Sequence, residues 1–76
     1  MIGPKWINLQ LFVKEEKLRN LCRRYPNGLS MTAYLRVASH ALDEPASQNE
    51  LLELAKSILR LRWQLVELEQ EPNRAA

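Results

Sequence analysis

The chain has 76 residues, 46% apolar and 26% charged, which fits one small folded domain and excludes a disordered chain or a two-domain protein. No apolar run approaches the roughly 20 residues of a membrane-spanning helix, and the opening Met-Ile-Gly-Pro-Lys-Trp lacks the basic and then apolar regions of a secretory signal. The net charge of +2 hides a division: residues 1–36 hold seven bases against two acids, and residues 37–76 hold four bases against seven acids. A basic head suits a polyanion, with an acidic body turned elsewhere.

Residues 6–13, Trp-Ile-Asn-Leu-Gln-Leu-Phe-Val, alternate as a strand. Ile7, Leu9, Leu11 and Val13 share one face, and Trp6, Asn8, Gln10 and Phe12 share the other. A lone strand must pair with a second copy of the chain, which predicts an obligate dimer with a shared two-stranded ribbon. The expected fold is mainly α with this one short β-strand.

A first helix is expected over Lys14–Tyr25, where Leu18, Leu21, Cys22 and Tyr25 form a stripe. Pro26-Asn27-Gly28 stops it, with glycine able to take a left-handed backbone. Ser30 is the expected cap of a second helix, with Met31, Tyr34, Leu35, Ala38, Ala41 and Leu42 as its stripe and its end near Asp43 or Glu44. Ser47 and Glu50 read as a capping box opening a third helix, which runs to about Gln70 and stops before Pro72. These elements predict a head over residues 1–44, a C-terminal amphipathic helix within 45–71 and a tail over 72–76.

The third helix carries Leu51, Leu54, Ile58, Leu61, Leu65 and Leu68 in steps of three and four, a coiled-coil seam. Leu52, Ala55, Leu59 and Val66 widen that face. The helix is expected to complete a dimer core. Wrapping the partner subunit and joining dimers into a tetramer are the alternatives. Arg62, amid the apolar positions, is expected to snorkel or to pair with a glutamate such as Glu69 of a neighbouring helix, and Trp63 borders the face as a contact anchor.

The run Gly28-Leu29-Ser30-Met31-Thr32-Ala33-Tyr34-Leu35-Arg36-Val37-Ala38, set after a strand and an amphipathic helix, resembles the ribbon-helix-helix family, the fold of the Arc/MetJ-type repressors. The likeness covers about half the chain. It implies an intertwined homodimer whose intermolecular antiparallel ribbon lies in the major groove of double-stranded DNA, with core residues Ile7, Leu9, Leu11, Val13, Leu18, Leu21, Tyr34, Leu35, Ala38 and Leu42. Asn8 and Gln10 would then face base edges, where amides match adenine. The resemblance gives Ser30, Met31 and Thr32 a grip on the DNA backbone, and a helix N-terminus is an anion site on physical grounds too. Lys5 and Lys14 flank the strand as candidate phosphate contacts. Trp6 and Phe12 depart from the family's polar choice and are expected to cover the edge of the core, with thymine methyls or sugars as alternatives.

Cys22 lies on an apolar stripe, as a buried structural thiol does, and a single cysteine is consistent with the cytoplasm. His40 is expected to be solvated. One cysteine and one histidine give no zinc set, and no catalytic triad or phosphate loop is visible, so neither an enzyme nor a cofactor is expected. The leading expectation is a sequence-specific, homodimeric transcriptional repressor. One alternative is an antitoxin whose C-terminal helix binds a toxin. The other is a relaxosome accessory protein working beside a relaxase, because Leu29–Arg36 followed by Asn49-Glu50-Leu51-Leu52 is similar to small plasmid-mobilisation proteins.

Overall fold

In the computed structural model, which describes residues 3–70, the chain is built from three helices: α1 (Pro4–Arg24), α2 (Met31–Ser39) and α3 (Glu50–Glu69). Among the described residues there is no strand. The expected β-strand over residues 6–13, and with it the intermolecular ribbon and the ribbon-helix-helix fold class, is corrected: these residues form the first half of α1.

The physical reason is local. Pro4 stands in the first helical turn, where its missing N–H costs nothing and its fixed φ suits a helix. Gly3 is extended before it, and the Gly3 carbonyl accepts from Trp6 N at 3.1 Å and Ile7 N at 3.2 Å. No proline or glycine interrupts the chain from Lys5 to Tyr25, and leucine, glutamine, lysine, glutamate and arginine dominate that stretch. All of these favour a helix once it has started. Arg23 and Arg24 in the last turn complement the negative end of the helix dipole.

The third helix is the hub. Both α1 and α2 pack on α3 and scarcely touch each other. Ile7 shares a hollow with Gln64 and Leu68, Glu15 meets Arg62, and Leu21 lines a cavity with Leu51, so α1 and α3 run antiparallel. The core is small: Leu18, Ala38, Ala55 and Ile58 are fully buried, with Leu11, Cys22, Met31, Tyr34, Leu35, Leu51, Leu52, Leu54 and Leu59 packed around them. Alanines at 38 and 55 let the helix backbones approach closely. Burial raises the pKa of the Cys22 thiol above its ordinary value. Among the seam residues of α3, Ile58 is buried, Leu51, Leu54, Leu61 and Leu65 are half-buried, and Leu68 is at the exposed margin. Arg62 reaches across to α1, donating from Nη2 to Glu15 Oε2 at 2.7 Å and from Nε at 3.2 Å, and does not pair with Glu69.

Three details of the connections differ from the sequence reading. Gly28 does not take a positive φ. Its N–H donates to the Tyr25 carbonyl at 2.8 Å, and a β-carbon there would sit 3.2 Å from that same oxygen, so close approach is what glycine serves. Second, α2 stops at Ser39, short of Asp43; the Ser39 hydroxyl donates to the Arg36 carbonyl at 2.6 Å. Third, the cap of α3 is Asn49: its Oδ1 accepts from Leu52 N at 3.2 Å. Ser47 is occupied otherwise, accepting from Asn49 N at 3.2 Å and donating its own N–H to Glu53 Oε2 at 3.2 Å. Replacing the true cap, Asn49→Ala, is expected to cost about 1 kcal/mol in chemical denaturation, and Ser30→Ala a similar amount at the start of α2. The expected tail over 72–76 lies outside the described residues.

Lys56 ties down the segment between α2 and α3. Its side chain is almost wholly buried, and Nζ lies 2.9 Å from Glu53 Oε2 and donates to the carbonyls of Glu44 at 3.4 Å and Pro45 at 3.5 Å. Arg60 Nη2 adds a bond to the Leu42 carbonyl at 3.0 Å. The hydrogen bond from Lys56, followed by that from the Ser47 backbone, holds the Glu53 carboxyl below its ordinary pKa. Folded Glu53 therefore binds a proton less readily than the unfolded chain does. Its contribution is present above the ordinary carboxylate pKa of about 4.3 and is lost as pH falls through the lowered folded value. Thermal midpoints followed from pH 7 downward should drop in that acid window, and Glu53→Gln should flatten that part of the curve.

Candidate functional site

Two of the chain's arginines stand where α1 gives way to α2. Arg23 and Arg24 are exposed on the last turn of α1, and the Tyr25–Leu29 turn carries the chain directly to the N-terminus of α2. There Ser30 is extended, and its Oγ accepts from Ala33 N at 3.1 Å. The first α-helical bond runs from Tyr34 N to the Ser30 carbonyl at 3.0 Å, so the N–H groups of Met31 and Thr32 precede the intrahelical ladder and face outward along the dipole. Thr32 is exposed, whereas the Met31 side chain packs on the core, leaving Met31 to act through its backbone. Arg36 stands one turn beyond Thr32 on the same exposed face of α2. Arginine forks and free amides of this kind match phosphate oxygens.

Beside this edge lies an open cavity of about 630 Å³. Leu21, Tyr34 and Leu51 form its apolar floor, and Arg24, Asn27 and Asn49 stand on its rim. Glu50 is also on the rim, with Lys17 Nζ 3.8 Å from its Oε1. The cavity touches both the α1–α2 turn and the start of α3.

The other candidate residues are dispersed by the helical form of residues 6–13. Asn8 is exposed and Gln10 half-buried, and a two-residue step turns them about 200° apart around α1. They share no surface from which to read one base edge. Lys5 is exposed but belongs to the first turn of α1, about 28 Å by helix rise from Arg24. Lys14 is half-buried in the middle of the same helix. Arg19 is engaged with Glu16 on its own helix. His40 is exposed. Sequence reasoning passed over Arg23, Arg24 and Arg36 as site residues. The available signal was two arginines immediately before a Pro-Asn-Gly turn, and an arginine four residues after Thr32.

Among the proposed dimer-core residues, Ile7, Leu18 and Ala38 are buried within the single chain, and Leu11, Leu21, Tyr34, Leu35 and Leu42 are half-buried. Leu9 and Val13 instead point outward with Trp6 and Phe12, so the two aromatic residues do not cover the edge of the core. Trp63 is 66% exposed on α3. Among the described residues no group of three histidine, cysteine or acidic side chains is placed to hold a metal ion, and no helix is long and apolar enough to cross a membrane. A scan against protein-family models matches no family, and searches of curated proteins and of solved structures find no significant match.

Proposed function

We propose that the chain is a small duplex-DNA-binding protein that grips the phosphate backbone and acts by occupying its site, as a transcriptional repressor does. The observation that carries this reading is the free N-terminus of α2, reached by a short turn from the exposed Arg23 and Arg24 and followed on the same helix by the exposed Arg36, in a chain whose basic residues are concentrated before residue 37. Phosphate contacts position a protein on DNA without reading sequence. With Asn8 and Gln10 separated, the reading rests on backbone contact and not on base readout by an amide pair. Fluorescence anisotropy with a labelled duplex tests it. Binding should be clear at low salt and weaken steeply as salt rises, through counterion release. A protein that leaves duplex anisotropy unchanged at low salt is not a DNA-binding protein.

A second reading, the accessory protein of plasmid transfer, draws on Trp63. A large aromatic exposed on α3 suits a DNA-bound protein that also presents an anchor to another protein. A neighbouring relaxase gene separates the two: the accessory role requires one and a repressor does not. The antitoxin alternative is disfavoured by the packing of α3. Ala55 and Ile58 belong to the chain's own core, so α3 cannot leave to wrap a toxin without dissolving that core.

A further inference from the structure

The outer face of α1 is apolar where a monomer's surface should be polar. Trp6 is 51% exposed, Leu9 54%, Phe12 62% and Val13 56%, all within two turns and all on the side away from Ile7, Leu11 and Leu18. Half-exposed aromatic and aliphatic side chains of this size present on the order of 400 Å² of apolar surface. Two such faces, with their rims, reach about 1,000 Å², the minimum for a biological interface and the range of a weak dimer.

The order of residues along this face is self-complementary. Lys5, Leu9, Phe12 and Glu16 follow one another in steps of four, three and four, the spacing of a helix–helix seam. The base stands at one end, the acid at the other, and the two large apolar residues lie between. We propose that two copies of this chain pair through the outer faces of α1, antiparallel, about a twofold axis between Gln10 and Leu11. In this register Leu9 faces the partner subunit's Phe12, and Lys5 faces the partner subunit's Glu16, whose carboxylate it would share with the arginine at position 19 of that same helix. Trp6 and Val13 close the flanks of the seam. A parallel pair would set Lys5 against Lys5 and Glu16 against Glu16, so charge selects the antiparallel arrangement. The pairing does not depend on DNA binding. It leaves the Arg23–Arg24 ends of the two copies pointing in opposite directions, one at each end of the dimer.

Sedimentation of the full chain, with circular dichroism as the control for folding, tests the proposal. The wild type should sediment as a dimer, and Leu9→Glu with Phe12→Glu as a folded monomer. In a Cys22→Ser background, mixing Leu9→Cys protein with Phe12→Cys protein should give a mixed disulfide dimer on oxidation, faster than either protein alone. Lys5→Glu should weaken the dimer at least tenfold, and Lys5→Glu with Glu16→Lys should recover most of the loss. A wild-type monomer at the concentrations used for NMR, the face then belonging to a different partner, overturns the proposal. So does a dimer that survives the double glutamate change, or a dimer without the 9–12 cross-link. If the double glutamate variant fails to fold, the cross-link decides.

Discussion

Leu18→Ala is expected to lower the unfolding free energy by about 3 kcal/mol, the cost of deleting a fully buried leucine from a site that relaxes only in part. Leu18 is the one α1 residue at the centre of the core cluster, and it meets there the buried Ile58 of α3. For a domain of this length, total stability is on the order of 4–11 kcal/mol, so the single change removes a large fraction of it. Urea denaturation of Leu18→Ala and of the exposed-site control Asn20→Ala checks the expectation. The control should shift the midpoint by less than about 0.5 kcal/mol in equivalent stability. If the two variants behave alike, α1 does not pack on α3 through Leu18.

The triple change Arg23→Ala, Arg24→Ala, Arg36→Ala is expected to leave the fold intact, since all three side chains are exposed, and to remove most duplex binding. If each arginine neutralises one phosphate, the slope of log affinity against log salt should fall by about 0.9 for each arginine removed. The loss should be uniform across DNA sequences, because contacts to phosphate carry no base information. Lys5→Ala, at the far end of α1, should change the slope by no more than one such step. An unchanged slope in the triple variant would move the DNA contact elsewhere on the protein.

How much of this was legible in the sequence varies along the chain. The Ser30 cap, the Pro-Asn-Gly turn and the end of α3 near Gln70 follow from local chemistry that acts within a few residues, and the structure contains all three. Residues 6–13 were illegible to periodicity because only Asn8 and Gln10 among them are polar. So dense an apolar run satisfies a period of two and a helical period alike. The deciding signals lay outside the run. Pro4 opens a helix, and no breaker follows until Pro26. The candidate site was half legible for the same reason. Ser30, Met31 and Thr32 depend on a local cap, whereas the division of Asn8 from Gln10 depends on the winding of the whole of α1. Lys56 shows a different limit. Nothing in its spacing distinguishes it from a solvated lysine, and its burial comes from the chain at Glu44 and Pro45 folding over it.

The reliance of α1 and α2 on α3, and their slight contact with each other, bears on how the protein is made. During synthesis the first two helices leave the ribosome before the surface that receives them exists. An isolated segment of 9 residues has little helical stability of its own in water, and the 21-residue α1 still draws most of its stability from packing. The nascent chain thus lacks its tertiary structure, with Trp6, Leu9 and Phe12 accessible to chaperones, until α3 emerges. Folding then proceeds in one cooperative step, so a nonsense codon that removes Ile58 should leave a fragment that proteases clear.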